Sequence, residues 1–439
     1  MRIYLDTNVY SSLKSESFET LYSNIVNDKT NNIYLFSEAH IYDLIRDVTE
    51  QKFSDMDFIE GICGNNCYYF DKSIQYNFFT PKQYYGRYDW TPMLLHDEMD
   101  FFEPITQALK LIPIRISDYL KPEQIPTDCP KDFIKLLNQS TNLYEFFYSF
   151  LDFTGNLTNE QIKFREFLKY LHKHSLTGKI YEQVGIKGFD GINITDQIAF
   201  KDSYTNYIYN VSTLKDIYSV FCLMYNSLEF LGLVKGKPRK QRMTNLINDS
   251  RHSYFGSFCD IVVSRDEDFL NKCEFLYSTL GLDTIVCDLV TFETIVKDRA
   301  LFPSSYTALI QAIEDFENGE IRRLVGDDGR EYFIKDLDQF YYGYFDSLAF
   351  TREEKLNRFV FSKERKSFSQ RAIQPELEYL TNQFVDEFGL DMNSRGVWDP
   401  IELKDGEWTG RQWINDGLLT ELIFQGKLFV RINSLREKN

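Results

Sequence analysis

No stretch of this chain approaches the roughly 18 consecutive apolar residues that a membrane-spanning helix requires, so no membrane partner is expected. No secretory leader is expected either: Met1 and Arg2 pass straight into an apolar segment, without a basic, then apolar, then small-residue order. Cysteine is sparse. Seven residues, an odd number scattered from Cys63 to Cys287, argue against a disulfide framework and for reduced thiols in a cytoplasmic protein. Cys63 and Cys67 are the only close pair, and no second Cys/His pair follows at zinc spacing. Positive charge is also short, with 49 Lys and Arg against 66 Asp and Glu, a net charge of -17. That balance opposes broad nonspecific binding to nucleic acid, whose affinity comes largely from phosphate neutralisation. Any polyanion must meet a local basic patch. One candidate is Lys235, Lys237, Arg239, Lys240 and Arg242, which leads directly into an acidic segment. A second, Lys355, Arg358, Lys363, Arg365, Lys366 and Arg371, reads equally well as a solvated loop or helix face.

What is present is a globular composition, 43% hydrophobic and rich in aromatics, in 439 residues, enough for about three domains. Ile3, Tyr4 and Leu5 read as a short buried strand, and residues 33 to 36 as a second. Ser37 is placed to cap a helix running to about Asp47, with Glu38 in its first turn and His40, Asp43, Leu44 and Asp47 sharing a face. Residues 246 to 258 predict a helix, 261 to 263 a strand, 268 to 280 a helix and 284 to 287 another strand. Strands alternating with helices imply parallel pairing. The expected fold class is therefore α/β, a parallel sheet flanked by helices. A first core part spans 1–60, a mainly α-helical insertion 61–240, and a second core part 241–300. Residues 301–439 form an α+β C-terminal accessory region, with a hairpin at LVGDDGREYFI and helix with loops elsewhere, including PELEYLTNQFVDEFG and WTGRQWINDGLLTELIFQG.

Four aspartates follow or precede the apolar segments: Asp6 after the first strand, Asp43 on the helix after the second, Asp249 opening a later helix, and Asp266 beyond the strand at 261 to 263. Groups that follow different strands of such a sheet converge at its carboxyl edge. Clustered carboxylates raise one another's pKa unless a cation joins them. Oxygen-only ligands select Mg2+ or Mn2+, and a water acidified by such an ion can attack phosphorus. Phosphodiester hydrolysis is the reaction expected. Asn8 and Ser264 are candidates to orient a carboxylate or water, and Asp268 is a candidate extra ligand; each reads also as turn or cap chemistry. His40 and His252 stand three residues from Asp43 and Asp249, as phosphate contacts, orienting groups or packing residues.

The segments YLDTNVY, SEAHIYDL, NDSRH and DIVVSRDEDFL together resemble the PIN domain, a family of metal-dependent nucleases. The resemblance implies a PIN-like sheet in which Asp6, Asp43, Asp249 and Asp266 are the metal-binding and catalytic acids. It lies in residues 1 to 55 and 245 to 297, and implies that the family's own third strand lies within the insertion. Two departures stand out: aspartate replaces the family's usual glutamate at Asp43, one methylene shorter, and the insertion is far larger than in compact members. An endoribonuclease follows, acting on RNA with DNA as an alternative substrate, in the manner of a toxin or antiphage effector controlled by a protein partner or self-assembly. Two other readings stay open. A haloacid-dehalogenase-like phosphatase would use Asp6 as nucleophile, but wants an acid where this chain has Asn8; an interaction protein would keep the acidic pocket without catalysis.

Overall fold

The structure is a computed structural model that describes residues 1–29, 32–90, 129–139, 217–230, 243–298, 302–325, 329–352, 356–365, 373–403, 408–425 and 427–435, with a few single positions between 140 and 170. The first part runs β1 (Arg2–Leu5), α1 (Thr7–Leu13), α2 (Glu19–Asp28), β2 (Ile33–Ser37), α3 (Glu38–Leu44), α4 (Gln51–Cys63), β3 (Asn66–Asp71), β4 (Ser73–Phe78) and α5 (Pro81–Tyr85). After α6 (Lys131–Gln139) and α7 (Ile217–Phe230) come α8 (Met243–Gly256), β5 (Ile261–Val263), α9 (Glu267–Thr279), β6 (Ile285–Cys287) and α10 (Leu289–Lys297). β1 to β6 form one sheet in the order β4-β3-β2-β1-β5-β6. Every pairing in it is parallel except the antiparallel edge β3 with β4.

Strand periodicity divides the core between the two faces of this sheet. Tyr4, Leu35 and Val262 point to one side, where Phe221 and Tyr225 of α7, Tyr254 of α8 and Leu276 of α9 cover them. Ile3, Leu5, Phe36 and Val263 point to the other, against Val9 of α1, Ile25 of α2, Ile59 of α4 and Phe292 of α10. With both faces covered, β1 and β2 are buried along their whole length, which explains their unbroken apolar runs. The mixed α/β architecture expected from the alternation is thus present.

Three expectations are corrected. The segment from 61 onward, expected to be mainly helical, opens with two strands, and its β3 extends the parallel sheet beside β2. The aromatic run in NCYYFD hid the strand, since Tyr and Phe serve helices and strands alike. The helix after Ser37 stops at Leu44, not Asp47. Asp47 instead accepts the Thr49 backbone N–H at 2.8 Å, a local turn that competes with helix continuation.

The third correction lies in the C-terminal region, where α11 (Tyr306–Glu314) precedes β7 (Arg322–Val325), β8 (Glu331–Tyr341), β9 (Phe345–Arg352) and β10 (Leu356–Ser362). Then follow α12 (Ile373–Phe388), β11 (Arg411–Asn415), β12 (Leu418–Phe424) and β13 (Leu428–Leu435). They build a seven-stranded antiparallel sheet in the order β11-β12-β13-β10-β9-β8-β7. The hairpin expected at LVGDDGREYFI is β7 with β8, and PELEYLTNQFVDEFG lies in α12. RQWINDGLLTELIF, expected as helix with loops, is the hairpin β11–β12, turned by Asp416 (φ 50°) and Gly417 (φ 76°). Two successive positive φ values are the Asp-Gly hairpin turn, the same signal already recognised at residues 327 to 329.

The two sheets meet through buried charge. Arg2 of β1 lies 3.0 Å from Glu376 of α12 and 3.6 Å from Asp260, while Lys363 reaches Asp260 at 2.5 Å. All seven cysteines are free, in keeping with the reduced thiols expected. Among the described residues, no helix is long and apolar enough to cross a membrane.

Candidate active site

β1 and β5 end level, because the Asp6 N–H donates to the Val263 carbonyl at 2.9 Å. Asp6 and Ser264 therefore emerge side by side at the carboxyl edge of the sheet. Asp6 caps α1, its Oδ1 accepting the Thr7 N–H at 2.7 Å. Its Oδ2 accepts the Ser264 hydroxyl at 2.7 Å and the Asn8 side-chain amide, and Asn8 also donates to Ser264 at 2.9 Å. Asn8 and Ser264 so hold Asp6 in one orientation.

Asp43 comes from α3 and meets α8. Its Oδ2 accepts the Thr7 hydroxyl at 2.7 Å and faces His252 Nε2 at 3.0 Å; its Oδ1 accepts the Asn248 amide at 2.6 Å. Thr7 thus bridges the two acids, with its N–H on Asp6 and its hydroxyl on Asp43. Asp249 lies in the second turn of α8 rather than at its start. Burial, then the negative charge of Asp6, push its carboxyl up to about 8, although Lys272 and His252 oppose this. Asp6 is raised as well, by burial first, against the pull of His252 and Ser264. Burial acts likewise on Asp43, but its bonds from His252, Thr7 and Asn248 outweigh it and bring the carboxyl below its ordinary value. The negative charges of Asp6 and Asp43 therefore act on each other and on Asp249.

Asp266 stands differently. Its Oδ1 accepts the N–H groups of Asp268 (2.9 Å) and Phe269 (3.3 Å), capping α9, and its own N–H donates to Ser264 Oγ at 3.1 Å. It is linked to Asp6 through Ser264, while Asp268 lies in the first turn of the helix it caps.

The two histidines separate by role. The His40 ring is fully buried: Nδ1 accepts the Ser37 N–H at 3.0 Å, so Nε2–H donates to the Leu5 carbonyl at 2.7 Å. Burial and the neighbouring His252 push it down to about 3, so it is neutral and ties α3 to the end of β1. His252 meets Asp43 through Nε2 and the Tyr4 hydroxyl through Nδ1 at 2.7 Å. Burial disfavours its charge, but Asp43, Asp6 and Asp249 outweigh this and raise it above the ordinary value. Tyr4 also reaches Ser37 at 2.6 Å, which joins β1, α3 and α8 behind the acids.

Sequence reasoning missed Tyr4, Asn248 and Lys272 as parts of this site. Lys272 has a readable signal, a lysine on the buried stripe Phe269, Lys272, Cys273, Leu276 of α9. It is 1% exposed, lies 5.1 Å over the Tyr225 ring and lowers the Asp249 carboxyl. The basic segment Lys235, Lys237, Arg239, Lys240 and Arg242 lies outside the described residues, as do Lys355, Lys366 and Arg371. Of the second cluster, Lys363 is buried against Asp260, Arg358 bonds Asn433 and Arg365 pairs with Asp346, so these three serve the fold.

Among the described residues, no three His, Cys, Asp or Glu side chains stand together as a ready metal cage. Asp6, Asp43 and Asp249 offer only carboxylate oxygens, the donor type that a hard divalent cation takes. No family model, curated protein or solved structure matches the chain.

Proposed function

We propose that this protein is a Mg2+- or Mn2+-dependent endoribonuclease of PIN-like type, with Asp6, Asp43 and Asp249 as the central acids and Asp266 at their rim. One observation carries the reading: at the carboxyl edge of the parallel sheet Thr7 donates its N–H to Asp6 and its hydroxyl to Asp43, bringing together acids from the end of β1 and from α3, and with burial their charges push Asp249 of α8 up to about 8. Carboxyls shifted by burial and like charge together are a feature of functional sites. The order of the acids supports the same reading: after the first strand, on the helix after the second, on the helix before β5, and just after β5.

A hard divalent cation, when bound, supplies charge neutralisation at phosphate and a water of lowered pKa. Asp6, Asp43 and Asp249 would hold it. The chain's own residues do the rest. Asn8 and Ser264 fix Asp6; Thr7, Asn248 and His252 fix Asp43; Lys272 offsets part of the charge at Asp249. Such outer partners orient the carboxylates before substrate arrives.

The test is cleavage of single-stranded and structured RNA, and of DNA, by purified protein with Mn2+ or Mg2+. Wild type should cut, and Asp6→Asn or Asp249→Asn should cut at least about 100-fold more slowly. Cleavage unaltered in both variants would sink the proposal.

A further inference from the structure

A buried tyrosine stands behind the aspartates. Tyr4 lies two residues before Asp6 in the sequence, and its side chain, 0% exposed, belongs to the face of the sheet that α8 covers. Its hydroxyl lies 2.7 Å from His252 Nδ1 and 2.6 Å from Ser37 Oγ. Burial keeps that hydroxyl protonated, well above its ordinary value, although the Ser37 bond opposes the shift.

The surrounding hydrogen bonds decide where the His252 ring carries a proton. Around Nε2 stand Asp43 Oδ2 at 3.0 Å and Thr7 Oγ1 at 3.3 Å. The Thr7 hydroxyl proton already goes to Asp43 at 2.7 Å, so both neighbours accept and Nε2 must donate. On the other side of the ring, Nδ1 lies 4.0 Å from Asp6 Oδ1, beyond hydrogen-bond reach, and Tyr4 is its hydrogen-bond partner among the described residues. A tyrosine hydroxyl donates or accepts, and so does Ser37 behind it, so the pair serves Nδ1 whether or not that atom bears a proton. Ring contacts act separately: His40 meets the His252 ring edge-on at 4.7 Å and the Tyr4 ring meets it at 5.8 Å, and neither contact needs the hydroxyl.

We propose that Tyr4 is a positioning residue for Asp43: its hydroxyl fixes the His252 ring so that Nε2–H stays on the Asp43 carboxylate and holds it in one orientation before a cation arrives. The proposal rests on the nuclease reading and adds a residue behind Asp43 that acts on it from carboxylate to imidazole to phenol. Tyr4 is wholly buried behind His252, so it acts through that ring and not by contact with substrate. Partners that orient a metal-binding side chain change metal affinity without touching the metal. The hydrogen bond made by one ring nitrogen of a histidine sets what the other nitrogen does.

The experiment begins with the full chain in chelator, isotope-labelled and read by the proton–nitrogen ring signals of its five histidines, with His252 assigned by its loss in His252→Asn. Wild type should show a slowly exchanging Nε2–H for His252; a ring protonated on Nδ1 alone overturns the proposal without any variant. Tyr4→Phe keeps the ring and removes the hydroxyl, and it should shift the His252 signals. Unchanged signals also overturn the proposal, with the melting temperature as the check on folding. Mn2+ is then titrated by calorimetry. Tyr4→Phe should bind about ten-fold more weakly at unchanged stoichiometry, whereas a partly unfolded protein would lose stoichiometry instead. In the His252→Asn background the same substitution should add nothing; an equal loss there, or unchanged affinity in the wild-type background, would leave Tyr4 a packing residue only. Wild type that binds no Mn2+, with Tyr4→Phe still moving His252, would remove the nuclease reading and keep Tyr4 as the residue that orients His252 on Asp43. Mn2+ binding and RNA cleavage with His252 unmoved would do the reverse.

Discussion

At the scale of single residues, the site is defined by who holds each carboxylate. Asn248 is the clearest case, because it donates at once to Asp43 and to the Ala39 carbonyl and so fixes α8 to α3. On the proposed nuclease reading, Asn248→Ala should lower Mn2+ affinity, measured by calorimetry, by about 10- to 100-fold, as loss of an orienting partner does in metal sites. Asp249 gives a pH signature. Its folded value of about 8 exceeds the ordinary carboxylate value of about 4, so its contribution to stability is complete below that ordinary value. It is then lost as pH rises toward 8. In chelator, wild type should therefore lose stability relative to Asp249→Asn between pH 5 and pH 8, with the difference flat above that. A constant difference across this range, read from denaturant melts, would contradict the assignment.

Elements are set by local backbone demands that short sequence windows express. Ser37 with His40 closes a reciprocal cap on α3, and Asp266 caps α9. The Ser37 cap was expected from sequence, because capping depends on residues within three positions, whereas Asp266 was expected as a metal-binding acid before a helix starting at 268. The hairpin β11–β12 carried an equally local signal, Asp416-Gly417, and was obscured by the helix-favouring Leu and Glu that follow. Helix-to-sheet closeness is another matter. A Cβ on Gly256 would sit 2.6 Å from Cγ2 of Val262 and 3.0 Å from the Tyr277 hydroxyl oxygen. Gly256→Ala should destabilise by about 1–3 kcal/mol through overpacking where α8 crosses β5, visible as a lower denaturant midpoint with unchanged slope. A neutral result would mean that α8 stands further from the sheet.

For the whole molecule, the decisive feature is the ion cluster Arg2, Asp260, Lys363 and Glu376, which joins the parallel sheet to α12 and the C-terminal sheet. Burial pushes the Asp260 carboxyl up, but Lys363 and Arg2 outweigh it and hold it well below the usual carboxylate range. A depressed folded value means that this stabilisation is complete above the unfolded value of about 4 and lost as pH falls through the folded one. Lys363→Met leaves buried carboxylates short of a partner and should cost about 3–5 kcal/mol near neutral pH. The gap to wild type should narrow in acid. A gap that widened there would place the source of the loss elsewhere than Asp260.

By itself the sequence determined the alternation of buried strands and amphipathic helices, and so the parallel sheet and the aspartates at its carboxyl edge. These follow from side-chain periodicity and from which backbone groups a terminus leaves unpaired, properties that neighbouring residues carry. Tertiary structure alone decided that Asn8 meets Ser264 across 256 positions, that Asn248 and His252 hold Asp43, and that Lys272 is buried near Asp249. Hydrogen-bond partners and burial depend on which surfaces are brought face to face, and a carboxylate's protonation depends on both. The same aspartates that are legible as residues thus acquire their chemistry only through the packing around them.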